Sequence, residues 1–366
     1  MSRPVENETL LFPESPGLSP MVTAPWKVLI ADDDKAIHAV TKLALTGTSF
    51  HGRPLAWLDA YSGDEAVQLM RKNDDVALVL MDVVMETDTA GLDAAQSIRE
   101  ELGNLFVRIV VRTGQAGAEP EETVVKRYGI DDYREKTDLT STRLFTLVHT
   151  SLAHYEQLRV LEQARAQTEL VMTLGEAIEA RSSETGNHLR RVAEYSRLLG
   201  QLAGLDARNT RLLYLAAPLH DAGKIAIPDA VLHKPGQHDD AESEIMRSHA
   251  ELGRALFANR DSPVLRAAAL VAGQHHERWD GQGYPNGIAG EDIHIFGRIT
   301  AIADVFDALT HPRCYKEAWP LERAVEYLLG ESGHRFDPAL VELFMQNLDQ
   351  FTEVYNRLRD PDGSLH

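Results

Sequence analysis

KVLIADDD, residues 27–34, sets the reading of the first third of the chain: a continuous apolar run that ends on three carboxylates. A short apolar run of this kind is the pattern of a strand covered on both faces in a parallel sheet. Working outward, ALVLMD (77–82) and VRIVVRT (107–113) repeat it, a strand is expected near 54–59, and DDYREK (131–136) reads as a short last strand. Between them lie amphipathic stretches near 35–45, 63–72, 92–102, 119–128 and 142–155. This alternation predicts an α/β doubly wound, five-stranded parallel sheet with helices on both faces. The polar, proline-rich residues 1–24 are expected to be a disordered tail. Residues 152–182 read as one long helix, with Leu158 and Leu161 on a heptad seam that Arg165 and Thr168 interrupt. Everything after it reads as helix and loop. The expected organisation is therefore 1–24 tail, 25–150 α/β domain, 151–182 linker helix and 183–366 all-α domain.

Composition narrows the function. The 366 residues carry 37 basic against 56 acidic side chains, a net charge of −19. That opposes a nucleic-acid partner, which needs a basic face. No 18-residue apolar run is present, so no membrane span is expected. The N-terminal stretch lacks the basic start and apolar core of a secretory signal. The single cysteine, Cys314, supplies neither a disulfide framework nor a thiolate-rich zinc site, and a cytoplasmic setting is expected. Histidine is the odd feature: of 15, eight fall between His188 and His294.

Two constellations carry chemistry. In the α/β part, Asp32, Asp33 and Asp34 end the first strand, Asp82 and Thr113 end later ones, and Lys136 follows the last. Strand carboxyl ends form the ligand crevice of such sheets. Converging carboxylates repel unless a cation sits among them, and oxygen-only donors suit Mg²⁺. One carboxylate could then act as nucleophile toward a phosphoryl group. In the all-α part, Glu184 and His188 stand four apart, followed by His220-Asp221 with Lys224, then His249, His275-His276 and Asp304. Imidazole and carboxylate without thiolate favour Fe or Mn at least as well as Zn. Eight ligands exceed the need of one ion and suit two or three, the arrangement that activates water and clamps a phosphodiester. His233, His238, His294, His311 and His334 are set aside as ordinary core or surface histidines.

The first constellation resembles the receiver domain of two-component response regulators, whose fold is flavodoxin-like, over about residues 25–150. The resemblance implies phosphorylation of Asp82, an Mg²⁺ site at Asp32, Asp33 and Asp82, switch residues Thr113 and Tyr133, the paired Lys136, and a cognate histidine kinase as partner. Met85 and Thr137 stand where receivers usually have proline. The second constellation resembles the HD superfamily of metal-dependent phosphohydrolases, and HHERWDGQGYP (275–285), with Gly283-Tyr284-Pro285, its HD-GYP subgroup. AAPLHDAGKIAIPDAVL and AIADVFDALT extend the match over about 170–350. The resemblance implies a phosphodiesterase that hydrolyses cyclic di-GMP to pGpG, and in many members on to GMP, by metal-activated hydroxide. It implies metal ligands His220, Asp221, His249, His275, His276 and Asp304, with Glu184 and His188 for a third ion. His220, Asp221 and Lys224 would be catalytic. Lys224, Gly283, Tyr284, Pro285, Arg313 and Lys316 would contact substrate. A homodimer through the 152–182 helix is expected. Two alternatives stand beside this: a catalytically weak sensor of cyclic di-GMP or pGpG that acts through protein partners, and an HD hydrolase for another cyclic dinucleotide.

Overall fold

The structure is a computed structural model and describes residues 24–114, 121–138, 140–181, 186–312 and 318–359. The chain divides into two compact units, Ser15–Arg165 and Ala166–His366, and the division falls inside one helix.

The first unit runs β1 (Trp26–Ala31), α1 (Lys35–Ala44), β2 (Ser49–Phe50), β3 (Arg53–Ala60), α2 (Gly63–Lys72), β4 (Val76–Asp82), α3 (Ala90–Glu100), β5 (Arg108–Thr113), α4 (Glu121–Tyr128), β6 (Asp132–Glu135) and the start of α5 (Ser141–Glu179). The sheet order is β2-β3-β1-β4-β5-β6, and the five long strands are parallel. The order reverses at β1/β4, the place where doubly wound folds open a ligand crevice. Period-two alternation divides the core cleanly. Val28, Ile30, Leu78 and Leu80 pack under Leu144, Val148 and Leu152 of α5, whereas Leu29, Val79 and Met81 pack under α2, α3 and α4. All seven residues of β4 are buried, so truncating Leu80 to alanine is expected to cost about 2–5 kcal/mol.

Two expectations need correction. The sheet has six strands, because Ser49–Phe50 folds back antiparallel on β3. The two-residue loop His51-Gly52 has positive φ at both positions (50° and 75°), as a type I′ hairpin requires. The helix expected at 142–155 and the one expected from 152 are a single 39-residue helix, α5, because no proline or glycine cap separates them.

The second unit continues α5 and adds α6 (Gly186–Leu202), α7 (Ala207–Ala216), α8 (Asp229–Leu232), α9 (Asp240–Arg247), α10 (His249–Phe257), α11 (Pro263–Gln274), α12 (Ile295–Thr310), α13 (Leu321–Gly330), α14 (Pro338–Gln346) and α15 (Leu348–Arg357). Its core is centred on α6, α7, α11 and α12. Tyr195, Phe306, Phe344 and Phe351 form a chain of ring contacts with centroids 4.1–5.1 Å apart. Gly175 of α5 lets that helix close on α6: a Cβ there would stand 2.8 Å from Leu189 Cδ1.

Candidate metal centre and acidic pocket

The histidine site is assembled at helix ends. His220 follows the short 3₁₀ turn Ala217–Leu219, Asp221 precedes the next, Ala222–Ala226, His249 opens α10 and His275 closes α11. Each of the three imidazoles is anchored to the backbone carbonyl three residues before it. Nδ1 of His220 donates to Ala217 O (2.9 Å), that of His249 to Met246 O (2.7 Å) and that of His275 to Ala272 O (3.0 Å). A carbonyl only accepts, so Nδ1 carries the proton in all three. In neutral rings the Nε2 lone pairs are then left facing inward. His249 Nε2 lies 3.5 Å from His275 Nε2 and 3.1 Å from Asp221 Oδ1, and His220 Nε2 lies 3.4 Å from Asp221 Oδ2. Buried lone pairs and a carboxylate converging in this way suit a bound cation, and the anchored Nδ1–H is the usual outer support of a metal-ligating histidine.

Asp221, His249, His275 and His276 form one group able to hold an ion, and Glu179, His188 and His220 form another. Asp304 joins the second, with Oδ1 3.8 Å from both His188 Nε2 and His220 Nε2. The field at His220 is strongly negative, and without an ion it holds a proton on the ring where a bound cation would take its place. Burial pulls His220 down, but Asp221, Asp304 and Glu179 outweigh it and push its pKa up to about 10. Burial, then the neighbouring imidazoles, hold His275 and His276 below the usual histidine value. Asp221 stays well below the carboxylate range because Lys224 and His220 outweigh its burial. Lys224 Nζ is 2.6 Å from Asp221 Oδ2. Gly223 permits this packing: a Cβ there would stand 1.9 Å from His249 O.

The Gly283-Tyr284-Pro285 loop folds over the same place. Tyr284 stacks on His276 (centroids 4.7 Å, 28°), and its amide donates to His276 O. A Cβ on Gly283 would reach 2.4 Å from Arg278 N, so only glycine fits. Pro285 follows a cis bond. Glu184, Arg313 and Lys316 lie outside the described residues.

Three supporting residues escaped the sequence reading. Glu179, buried at the end of α5, has Oε1 3.6 Å from His188 Nε2. Asp307 and Arg191 support His188. Asp307 accepts from His188 Nδ1 (2.7 Å), Arg191 Nε (2.6 Å) and Arg191 Nη2 (3.1 Å), and His311 approaches it at 3.3 Å. Asp307 lies three residues after Asp304, one turn along α12, which is the signal that could have found it. His294, set aside above, accepts from Phe296 N and caps α12.

The other unit holds a separate acidic pocket at the strand carboxyl ends. Asp32, Asp33 and Asp82 present ligand oxygens within 4.8 Å of one another. Asp32 is fully buried and Asp82 nearly so. Lys136 Nζ bridges them, 2.7 Å from Asp82 Oδ2 and 2.9 Å from Asp32 Oδ2. Burial raises the Asp82 pKa, with Asp32 adding to it against Lys136. An oxygen-only pocket of this charge fits Mg²⁺. Gly91 of α3 presses on the same strand end: a Cβ there would stand 1.7 Å from Asp82 O. Thr113 is buried at the end of β5, and Tyr133 is half-buried on β6, opposite Val111.

Among the described residues, no helix is long and apolar enough to cross a membrane. Residues 28–148 match the response regulator receiver domain, and residues 172–340 match the HD domain. The chain is 34% identical to the 3′3′-cGAMP-specific phosphodiesterase 2 of Vibrio cholerae serotype O1, over 92% of this chain and 94% of that one. It is 33% identical to the cyclic di-GMP phosphodiesterase response regulator RpfG of Xanthomonas campestris pv. campestris, over 81% and 80%. It is 33% identical to a cyclic di-GMP phosphodiesterase of Thermotoga maritima, over 92% and 94%. The chain belongs to the response-regulator family that joins a receiver domain to an HD-type, metal-dependent phosphohydrolase domain.

Proposed function

We propose that this chain hydrolyses cyclic di-GMP under the control of phosphorylation at Asp82. The observation that carries the hydrolase assignment is the convergence of three anchored Nε2 atoms on Asp221. In this reading His220, Asp221, His249, His275, His276 and Asp304 hold Fe or Mn, and His188 with Glu184 serves a third ion. Bound ions would acidify the attacking water and neutralise the phosphodiester oxygens. Asp221 and His220 hold the ions in place. Lys224 offers an ammonium at the edge of the site for a phosphate oxygen. Arg313 and Lys316 extend the cationic contacts, and Tyr284 with Gly283 and Pro285 shapes the wall against His276. Hydrolysis of one phosphodiester gives linear pGpG, and of both, GMP.

In the receiver, Asp32, Asp33 and Asp82 hold Mg²⁺. Asp82 accepts the phosphoryl group from a histidine kinase, Lys136 steadies the transferred oxygens, and Thr113 and Tyr133 report the change. The compartment proposed is the cytoplasm, and the oligomer a homodimer formed along α5. The relative with 34% identity over 92% of this chain is named for 3′3′-cGAMP, which favours that dinucleotide as a second substrate.

The deciding experiment is anaerobic incubation of the chain with Fe²⁺ or Mn²⁺ and either cyclic di-GMP or 3′3′-cGAMP, with products resolved by chromatography. Formation of pGpG or GMP supports the proposal. Turnover of 3′3′-cGAMP alone moves the substrate, and tight binding without turnover replaces the hydrolase by a sensor.

A further inference from the structure

One buried charge has no part in the roles above. Arg112 sits on β5 after Val110 and Val111 and is 3% exposed. A guanidinium in such a place needs compensation. Its Nη1 donates to Thr41 Oγ1 of α1 at 3.0 Å. Its Nη2 lies 3.7 Å from Asp32 Oδ2, and among the described residues neither Nε nor Nη2 finds a hydrogen-bond partner. Burial lowers the Arg112 pKa, while Asp32 and Asp82 act to keep it charged. The same Asp32 oxygen also receives Lys136. Among the described residues, the three carboxylates of the pocket are thus met by two cations, Lys136 and Arg112, which leaves a formal excess of one negative charge. The two cations differ in freedom. Lys136 is about a quarter exposed and can withdraw toward solvent, whereas Arg112 is enclosed by the strand and α1.

We propose that Arg112 is a built-in rival of the divalent cation at Asp32: it neutralises Asp32 in the metal-free receiver and weakens Mg²⁺ binding. Filling the pocket thereby takes a higher Mg²⁺ concentration than the carboxylates alone would need. The inference rests on reading Asp32, Asp33 and Asp82 as the Mg²⁺ pocket. Its physical basis is that a cation's affinity follows the summed charge around it, and a guanidinium keeps its charge across the working pH range.

The test is calorimetric Mg²⁺ titration of the full chain with Arg112 intact, as Arg112→Met and as Arg112→Lys. Asp82→Asn in each background identifies the heat that belongs to this pocket. Arg112→Met is expected to tighten Mg²⁺ binding about tenfold, and Arg112→Lys to leave it within about threefold. Arg112→Met should also melt at a lower temperature without Mg²⁺ and regain more on its addition than the parent does. If it melts below the assay temperature, Arg112→Gln, which retains a donor for Thr41, carries the same expectation. Equal or weaker affinity in the neutral variants, with Mg²⁺ bound by the parent, overturns the rival role and makes Arg112 structural. Absence of pocket heat in all three proteins overturns the Mg²⁺ reading itself.

Discussion

Replacing Asp307 by alanine probes how the second unit holds together behind its histidines. The carboxylate is 2% exposed and sits between Arg191, whose side chain is 1% exposed, and His188. Alanine would leave that guanidinium buried without its counter-charge. Removing one partner of such a pair costs about 3–5 kcal/mol. Hydrogen exchange at α6 and α12 amides isolates this unit from the receiver, and the cost should appear as exchange by global opening that is faster by roughly 10² to 4 × 10³. The pH dependence has a defined sign. Burial raises the Asp307 pKa, but His188, His311 and Arg191 outweigh it and hold it well below 3.8. Its contribution is therefore complete above the unfolded value near 3.8 and is lost as pH falls through the lower folded value. The gap between parent and variant should be constant through neutral pH and narrow only in acid. The double variant Arg191→Met/Asp307→Leu should recover much of the loss, because well-packed apolar groups replace a buried pair at little cost. A single-variant cost under about 1 kcal/mol, or a double variant no better than the single, refutes the pairing argument.

Three further outcomes are expected. His275→Gln or Asp221→Asn should remove bound Fe or Mn, seen by elemental analysis, and abolish dinucleotide turnover while the receiver keeps its far-ultraviolet signature; unchanged metal content would unseat the ligand set. Gly223→Ala should cost about 1–3 kcal/mol and loosen metal retention, because its methyl group would meet His249 O at 1.9 Å; a melting curve that matches the parent contradicts the close approach. Asp82→Asn should stop incorporation of phosphate from acetyl phosphate, followed by intact mass, and incorporation at the parental level would move the acceptor elsewhere.

The parts legible in the sequence were those written in local period or in adjacency. Buried strands announce themselves as apolar runs, and their terminal carboxylates fall at the crevice because a parallel sheet puts all such ends together. His220-Asp221 and His275-His276 were readable for the same reason: neighbours in the chain end up in one site. What was missed depends on long-range meetings. Ser49–Phe50 is too short to show alternation, and only its hairpin turn declares it. Glu179 stands nine residues before His188 on a different helix, so no spacing rule links them. Arg112 reads as the polar end of a strand until Asp32, eighty residues earlier, is found beside it.

The anchoring of three imidazoles to backbone carbonyls three residues before them has a thermodynamic consequence for ion capture. A free histidine loses ring and side-chain rotation when it takes hold of a metal. Here that rotational entropy is surrendered during folding, since each ring is held covalently at one end and by Nδ1–H at the other. Capture then releases hydration water without freezing these side chains. The site should discriminate among ions by how well their preferred bond lengths match a stiff cage, rather than by rearranging to suit each one.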